Sequence, residues 1–202
     1  MSGAPLVYSA PAYNTQNVLW GVGLLLTAEV GTALPSDQNL GVGSAWLGGG
    51  WDYVGATDSG VSVNWTPKTV DINIEEQPTP VAVIVDTADL NITTNLNEET
   101  LEGINLAFGG AGTIAVTAPG AGQPGKSTLS LSTNFPYLAA AVVGKNQQGY
   151  ARVLSVPEVM SAATVKIDYR RAASARMYSL QLNATCAFES ITWDDLTAIA
   201  TS

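Results

Sequence analysis

A chain of 202 residues is long enough to bury a sizeable core and fits one domain, or one domain with appended arms. Its 17 acidic against 8 basic residues give a net charge of −9, which argues against a surface built to grip nucleic acid phosphates. Histidine is absent, which removes Ser/His/Asp and Cys/His triads, HExxH zinc sites and histidine general bases together.

Only 12% of the residues are charged while 46% are hydrophobic. Freely soluble monomers carry more Lys and Glu on their surfaces, so this balance implies that other subunits cover part of the molecule. The alternative is a Gly-, Ala- and Thr-rich β protein kept soluble by hydroxyls and amides.

Residues 1–17 mix Pro5 and Pro11 with Ala, Ser and Asn in neither period, and read as an extended arm. No basic start followed by an apolar run marks a secretory signal. Strand signals begin at Asn17, and Val18–Val30 is too short and too interrupted by glycine to span a bilayer. Residues 31–60 are glycine-rich, with LGGGWDYVG at their centre, and predict a long loop with a contact role between subunits. Trp46 and Trp51 stand in that loop without an evident local core, which makes them candidate interface anchors. The competing reading folds them back over their own sandwich.

In TVDINIEE, Val70, Ile72 and Ile74 alternate with Asp71, Asn73 and Glu75, so one face is free to enter a core while the other stays wet. ADLNITTNL repeats the pattern, with Leu90, Ile92 and Leu96 against Asn91, Thr93 and Asn95. NEETLEGINLAFG then predicts a helix over about residues 98–108. Asn97 is its expected cap, Glu98 and Glu99 lie at its positive end, and Leu101, Ile104, Leu106 and Phe108 form one apolar side.

Further strands are expected in GTIAVTA, STLSLST, YLAAAVVG, YARVLSV, SAATVKIDY and MYSLQLNATCAFES, for about nine to eleven in all. Gly120 to Ser127 formally matches a phosphate-binding loop. A strand pattern follows it where a helix N-terminus is required, so the match fails on context. Asn64, Asn91 and Asn183 each begin an Asn-x-Ser/Thr triplet, and their positions inside strands read as polar alternation on a wet face. Arg170, Arg171 and Arg176, with Lys166, form the only cationic cluster, which reads either as a solvated strand end or as a match for an acidic patch on a neighbouring subunit. The single cysteine, Cys186, shares parity with Leu180, Leu182 and Phe188 and reads as a small core residue. Neither a cofactor nor a metal ligand set is expected.

Taken together, these residues resemble the major tail tube proteins of long-tailed bacteriophages. The resemblance rests on WDYVGATDSGV (Trp51–Val61), then TVDINIEE, then a hairpin into ADLNITTNLNEETLEGINLAFGG, with MYSLQLNATCAFES similar to the family's closing strand. It implies a mainly β, sandwich- or barrel-like tail tube domain over residues 18–202 with one short helix. It also implies a non-enzymatic virion protein made in the host bacterial cytoplasm. The implied assembly is a set of hexameric rings stacked along a tape-measure protein, bounded by tail terminator and distal tail proteins. DNA would pass through the bore without sequence-specific binding, and no membrane is involved. On this resemblance the polar residues Asp71, Asn73, Glu75, Asn91, Thr93 and Asn95 are the lumen candidates. Two other readings remain at this stage: another virion β protein such as a tail terminator or capsid decoration protein, and a carbohydrate-binding sandwich using its tryptophans as sugar platforms.

Overall fold

The computed structural model describes residues 19–36, 44–73, 75, 79–98, 100–146, 150–161, 165, 178–186 and 190–193. Among them the elements run β1 (Leu19–Glu29), α1 (Ala45–Gly48), β2 (Trp51–Tyr53), β3 (Thr57–Ile72), β4 (Ala82–Leu96) and α2 (Leu101–Ala107). They continue as β5 (Thr113–Thr117), β6 (Lys126–Ser130), β7 (Leu138–Asn146), β8 (Ala151–Ser161), β9 (Tyr178–Ala184) and β10 (Ser190–Trp193). The fold is mainly β and antiparallel. One sheet has the order β2-β1-β7-β8-β9-β4-β3, with β10 on β8, and β5–β6 form a separate two-stranded sheet. The large sheet does not close into a barrel.

The strands β1, β7 and β8 are buried on both faces, which explains their nearly continuous apolar runs. Leu25, Ala140, Val156 and Val159 enter a first core shared with Leu90, Ile92, Leu180 and Leu182 of β4 and β9. Their neighbours Leu26, Ala139, Ala141, Val143 and Val153 enter a second core on the other side, closed by Trp46 and Trp51. The run LAAAVV, rich in the best helix former, is therefore strand β7. Two-sided burial outweighs helix propensity there. The β8 strand serves two neighbours on one edge, pairing with β10 at Arg152–Ser155 and with β9 at Val159–Ser161. Pro157, which has no N–H to give, falls in the gap between the two ladders.

The helix of residues 98–108 is present but starts later, and its cap is Thr100 instead of Asn97. Gly103 N–H donates to Thr100 Oγ1 at 3.0 Å. Asn97, the expected cap, and Glu98, expected at the positive end, precede the helix and bond to Ala56: Asn97 N–H donates to Ala56 O at 2.9 Å, and Glu98 Oε2 accepts from Ala56 N–H at 3.1 Å. Glu99 lies outside the described residues. Gly109 and Gly110, at φ +111° and +79°, take the left-handed turn that ends the helix. Ile104 and Leu106 pack on the first core as the apolar spacing requires. A second helix, the single turn α1, occupies the loop of residues 31–60, which also holds β2 and the start of β3.

The TVDINIEE segment differs from expectation. It is the end of the 16-residue strand β3, which turns back near Glu75, and its apolar side meets no core, because Val70 and Ile72 are exposed. The Ile74 side chain, the arm of residues 1–17 and most of SAATVKIDY lie outside the described residues.

Replacing Trp46, which has no exposed surface, with Ala should cost about 3–5 kcal/mol in denaturant unfolding. Thr100→Ala should cost about 1 kcal/mol by loss of the cap.

Candidate functional site

The features that distinguish this chain are surfaces. A cleft of about 430 Å³ lies between β2 and α2, lined by Tyr53, Glu98, Thr100, Asn105 and Leu106 among others. Burial, and after it the nearby Glu98 carboxylate, raise the Tyr53 phenol above its ordinary value. Among the described residues no three His, Cys, Asp or Glu side chains come together as a metal ligand set.

The first surface is a polar wall. Asn64, Asn91 and Asn183 stand opposite one another across β3, β4 and β9, so the three asparagines of the Asn-x-Ser/Thr triplets form one row. Ser62, Thr93 and Gln181 make the next row, and Asp58, Asn95 and Ser179 the one after it. Gln181 Nε2–H donates to Asn183 Oδ1 at 2.9 Å, tying neighbouring rows together. Behind this wall Val63, Ile92 and Leu182 pair across the same strands and face the first core. The sequence pattern identified the β4 members of the wall. The matching triplets also put Asn64 and Asn183 on a wet face; that they stand in one row with Asn91, and that Ser62, Asp58, Gln181 and Ser179 join the wall, follows only from register.

The second surface is a ribbon. Among the described residues only Asn91–Leu96 of β4 are paired with β9, so from Leu90 to Ala82 the strand has β3 as its sole described partner. The pair β3–β4 thus extends beyond the core by about 25 Å at about 3.3 Å per residue. An irregularity between Lys68 and Thr69 leaves Asp86 as an extra residue on β4. Past it, the wall side of the ribbon carries the pairs Val70–Ile84 and Ile72–Ala82, and the core side carries Thr69–Val85 and Asp71–Val83. Both faces are therefore apolar and exposed, with Val83 at 59%, Ile84 at 51% and Val85 at 63% of full exposure.

The six residues nominated for a polar wall consequently divide. Asn91, Thr93 and Asn95 share one face at the base of the ribbon. Asp71 lies near the tip on the opposite face, with Asn73 just past the strand end and Glu75 in the turn. Trp46 and Trp51 are also placed differently from the interface reading. Their rings meet edge to face, 5.3 Å apart and at 83°, inside the second core. Trp51 Nε1–H donates to Ala33 O at 3.0 Å, which satisfies its polar atom. At 0% and 2% exposure neither ring has a face left for a neighbouring subunit or a sugar. Arg170, Arg171 and Arg176 lie outside the described residues.

A family model described as phage tail tube protein matches residues 11–177. The chain belongs to that family. No curated protein matches it. The β-rich fold of this tail tube protein, with its polar wall and projecting ribbon, is that of a structural component of the virion tail.

In this tail tube protein Val83→Asp with Val85→Asp should leave circular dichroism and the unfolding midpoint of the isolated subunit nearly unchanged, because neither side chain enters a core. Self-association, measured by analytical ultracentrifugation, should fall sharply. The raised Tyr53 pKa means that the folded state holds the phenolic proton more tightly than the unfolded one. Its contribution to stability is complete below about pH 10 and is lost as pH rises through the folded-state value. Glu98→Gln should move the Tyr53 absorbance titration, obtained by difference from Tyr53→Phe, down toward its ordinary value.

Proposed function

We propose that copies of this tail tube protein close into hexameric rings, that the rings stack along a tape-measure protein, and that the resulting bore conducts the genome. The observation that carries this reading is the β3–β4 ribbon. A two-stranded ribbon is marginal by itself in water, and this one has apolar side chains on both faces and, among the described residues, no backbone partner at either edge. Pairing with other copies supplies hydrogen-bond partners to those edges and covers the apolar faces. Closing the sheet around an axis also removes the exposed edge altogether.

On this reading the wall of Asn91, Thr93 and Asn95, extended by Asn64, Gln181 and Asn183, faces the bore. Amides and hydroxyls hydrate such a surface without holding phosphate. The cation nearest to it along the ribbon, Lys68, is neutralised by Asp89 at 2.7 Å. Asp71, Asn73 and Glu75 belong to the ribbon end instead of the wall. Tail terminator and distal tail proteins are the partners at the two ends of the tube, and Arg170, Arg171 and Arg176 are candidates for contact with acidic surfaces of neighbouring subunits.

Negative-stain electron microscopy of the purified protein should reveal rings or tubes of constant bore. A concentrated sample that stays monomeric would count against the proposal. Asn91→Lys with Thr93→Lys should leave tubes intact and slow DNA ejection through phosphate binding in the bore. Infectivity equal to that of the unaltered phage would remove these residues from the wall of the channel.

A further inference from the structure

The hairpin β5–β6 is a second two-stranded ribbon outside both cores. Among the described residues its strands pair only with each other, from Thr113–Ser130 to Thr117–Lys126. Its root is held in place: Gly112 N–H donates to Asn105 Oδ1 at 2.7 Å, and Asn105 Nδ2–H donates to Gly112 O at 3.2 Å. A Cβ at Gly112 would lie 2.4 Å from Asn105 Oδ1 and 2.9 Å from Ser130 O, so glycine is required for this clamp. The helix α2 therefore presents the hairpin in a defined position, although most of the hairpin's side chains are exposed. Val116, at 76%, is the most exposed large apolar side chain among the described residues.

Charge separates the two ribbons. Residues 109–137 contain no Asp or Glu and one cation, Lys126. The β3–β4 ribbon and its turn carry Asp71, Glu75, Asp86 and Asp89 against Lys68, which is paired with Asp89. Among the described residues Asp71, Asp86 and Lys126 make no ion pair.

The faces also correspond. One side of β5–β6 holds Ile114, Val116 and Leu129, and the other holds Ala115, Thr117 and Lys126. One side of the β3–β4 ribbon holds Val70, Ile72 and Ile84, and the other holds Asp71 with Val83 and Val85. Joined edge to edge, the ribbons make a four-stranded sheet with one continuous apolar face, and Lys126 and Asp71 share the other face. Three or more strands with an apolar face are what a ribbon needs for stability.

We propose that the β3–β4 ribbon of one copy docks on the β5–β6 hairpin of a second copy, with Lys126 set against the acidic end of the ribbon. The contact is heterologous, so it propagates from copy to copy around a ring or along a tube. This inference rests on the self-assembly reading above and adds to it the identity of the two surfaces that meet.

Charge exchange in the full-length protein tests it, read as the critical concentration for tube growth. Lys126→Glu and Asp71→Lys should each raise that concentration roughly three- to tenfold, as for a partly exposed interfacial pair. The double variant should return to within about twofold of the unaltered protein. Carbodiimide cross-linking of tubes grown from mixed heavy- and light-isotope subunits should join Lys126 to Asp71, Glu75 or Asp86 in mixed-isotope peptides. If the unaltered protein forms tubes while Lys126→Glu assembles normally, or the double variant is no better than the single ones, the docking is wrong and the tube reading stands. An unaltered protein that forms no rings or tubes overturns both.

Discussion

A strand that extends past its own core leaves backbone N–H and C=O groups, and the apolar side chains between them, without partners from its own chain. In this protein the β3–β4 ribbon imposes that condition, because β9 stops pairing at Asn91 while β3 and β4 continue together to Ile72 and Ala82. Water can satisfy the hydrogen bonds but not the exposed Val and Ile side chains, and that asymmetry favours association. An edge of this kind is normally blunted by charge, proline or a short length. Here Pro67 and the Lys68–Asp89 pair guard the middle of the ribbon, and the segment VAVIV beyond them carries no charge.

The two cores give the ribbon a rigid base. Two-sided burial of β1, β7 and β8 builds a central layer whose alternate residues serve different cores, so displacement of that layer disturbs both at once. Trp46 and Trp51 complete the second core by packing against each other, at the position where the glycine-rich loop would otherwise leave the sheet uncovered. A stiff scaffold with an exposed apolar projection suits the assembly proposed above, in which a rigid subunit would set the angle between copies.

The wall of amides and hydroxyls across β3, β4 and β9 completes the physical picture. Its members come from strands far apart in the chain, and register alone brings Asn64, Asn91 and Asn183 into one row. A tail tube protein with a bore needs a surface that hydrates without attracting phosphate. The overall charge of −9 and rows made of amides and hydroxyls, with Asp58 as their one acidic member and no cation, fit that need.

Much of this was legible in the residues themselves. Period-two alternation in ADLNITTNL gave strand β4 and its inward Leu90, Ile92 and Leu96, and the strand pattern after Lys126 excluded a phosphate-binding loop, because these are local properties of backbone geometry. Tertiary structure decided what local pattern could not. TVDINIEE alternates like a core strand but lies beyond the core, because alternation records which residues share a face and not what that face meets. The helix is capped by Thr100, and the preceding Asn97 and Glu98 instead tie the chain to Ala56, a residue distant in sequence that local pattern could not name. The loop tryptophans turn inward because the face that β1, β7 and β8 make together buries both rings, and that face exists only in the paired sheet.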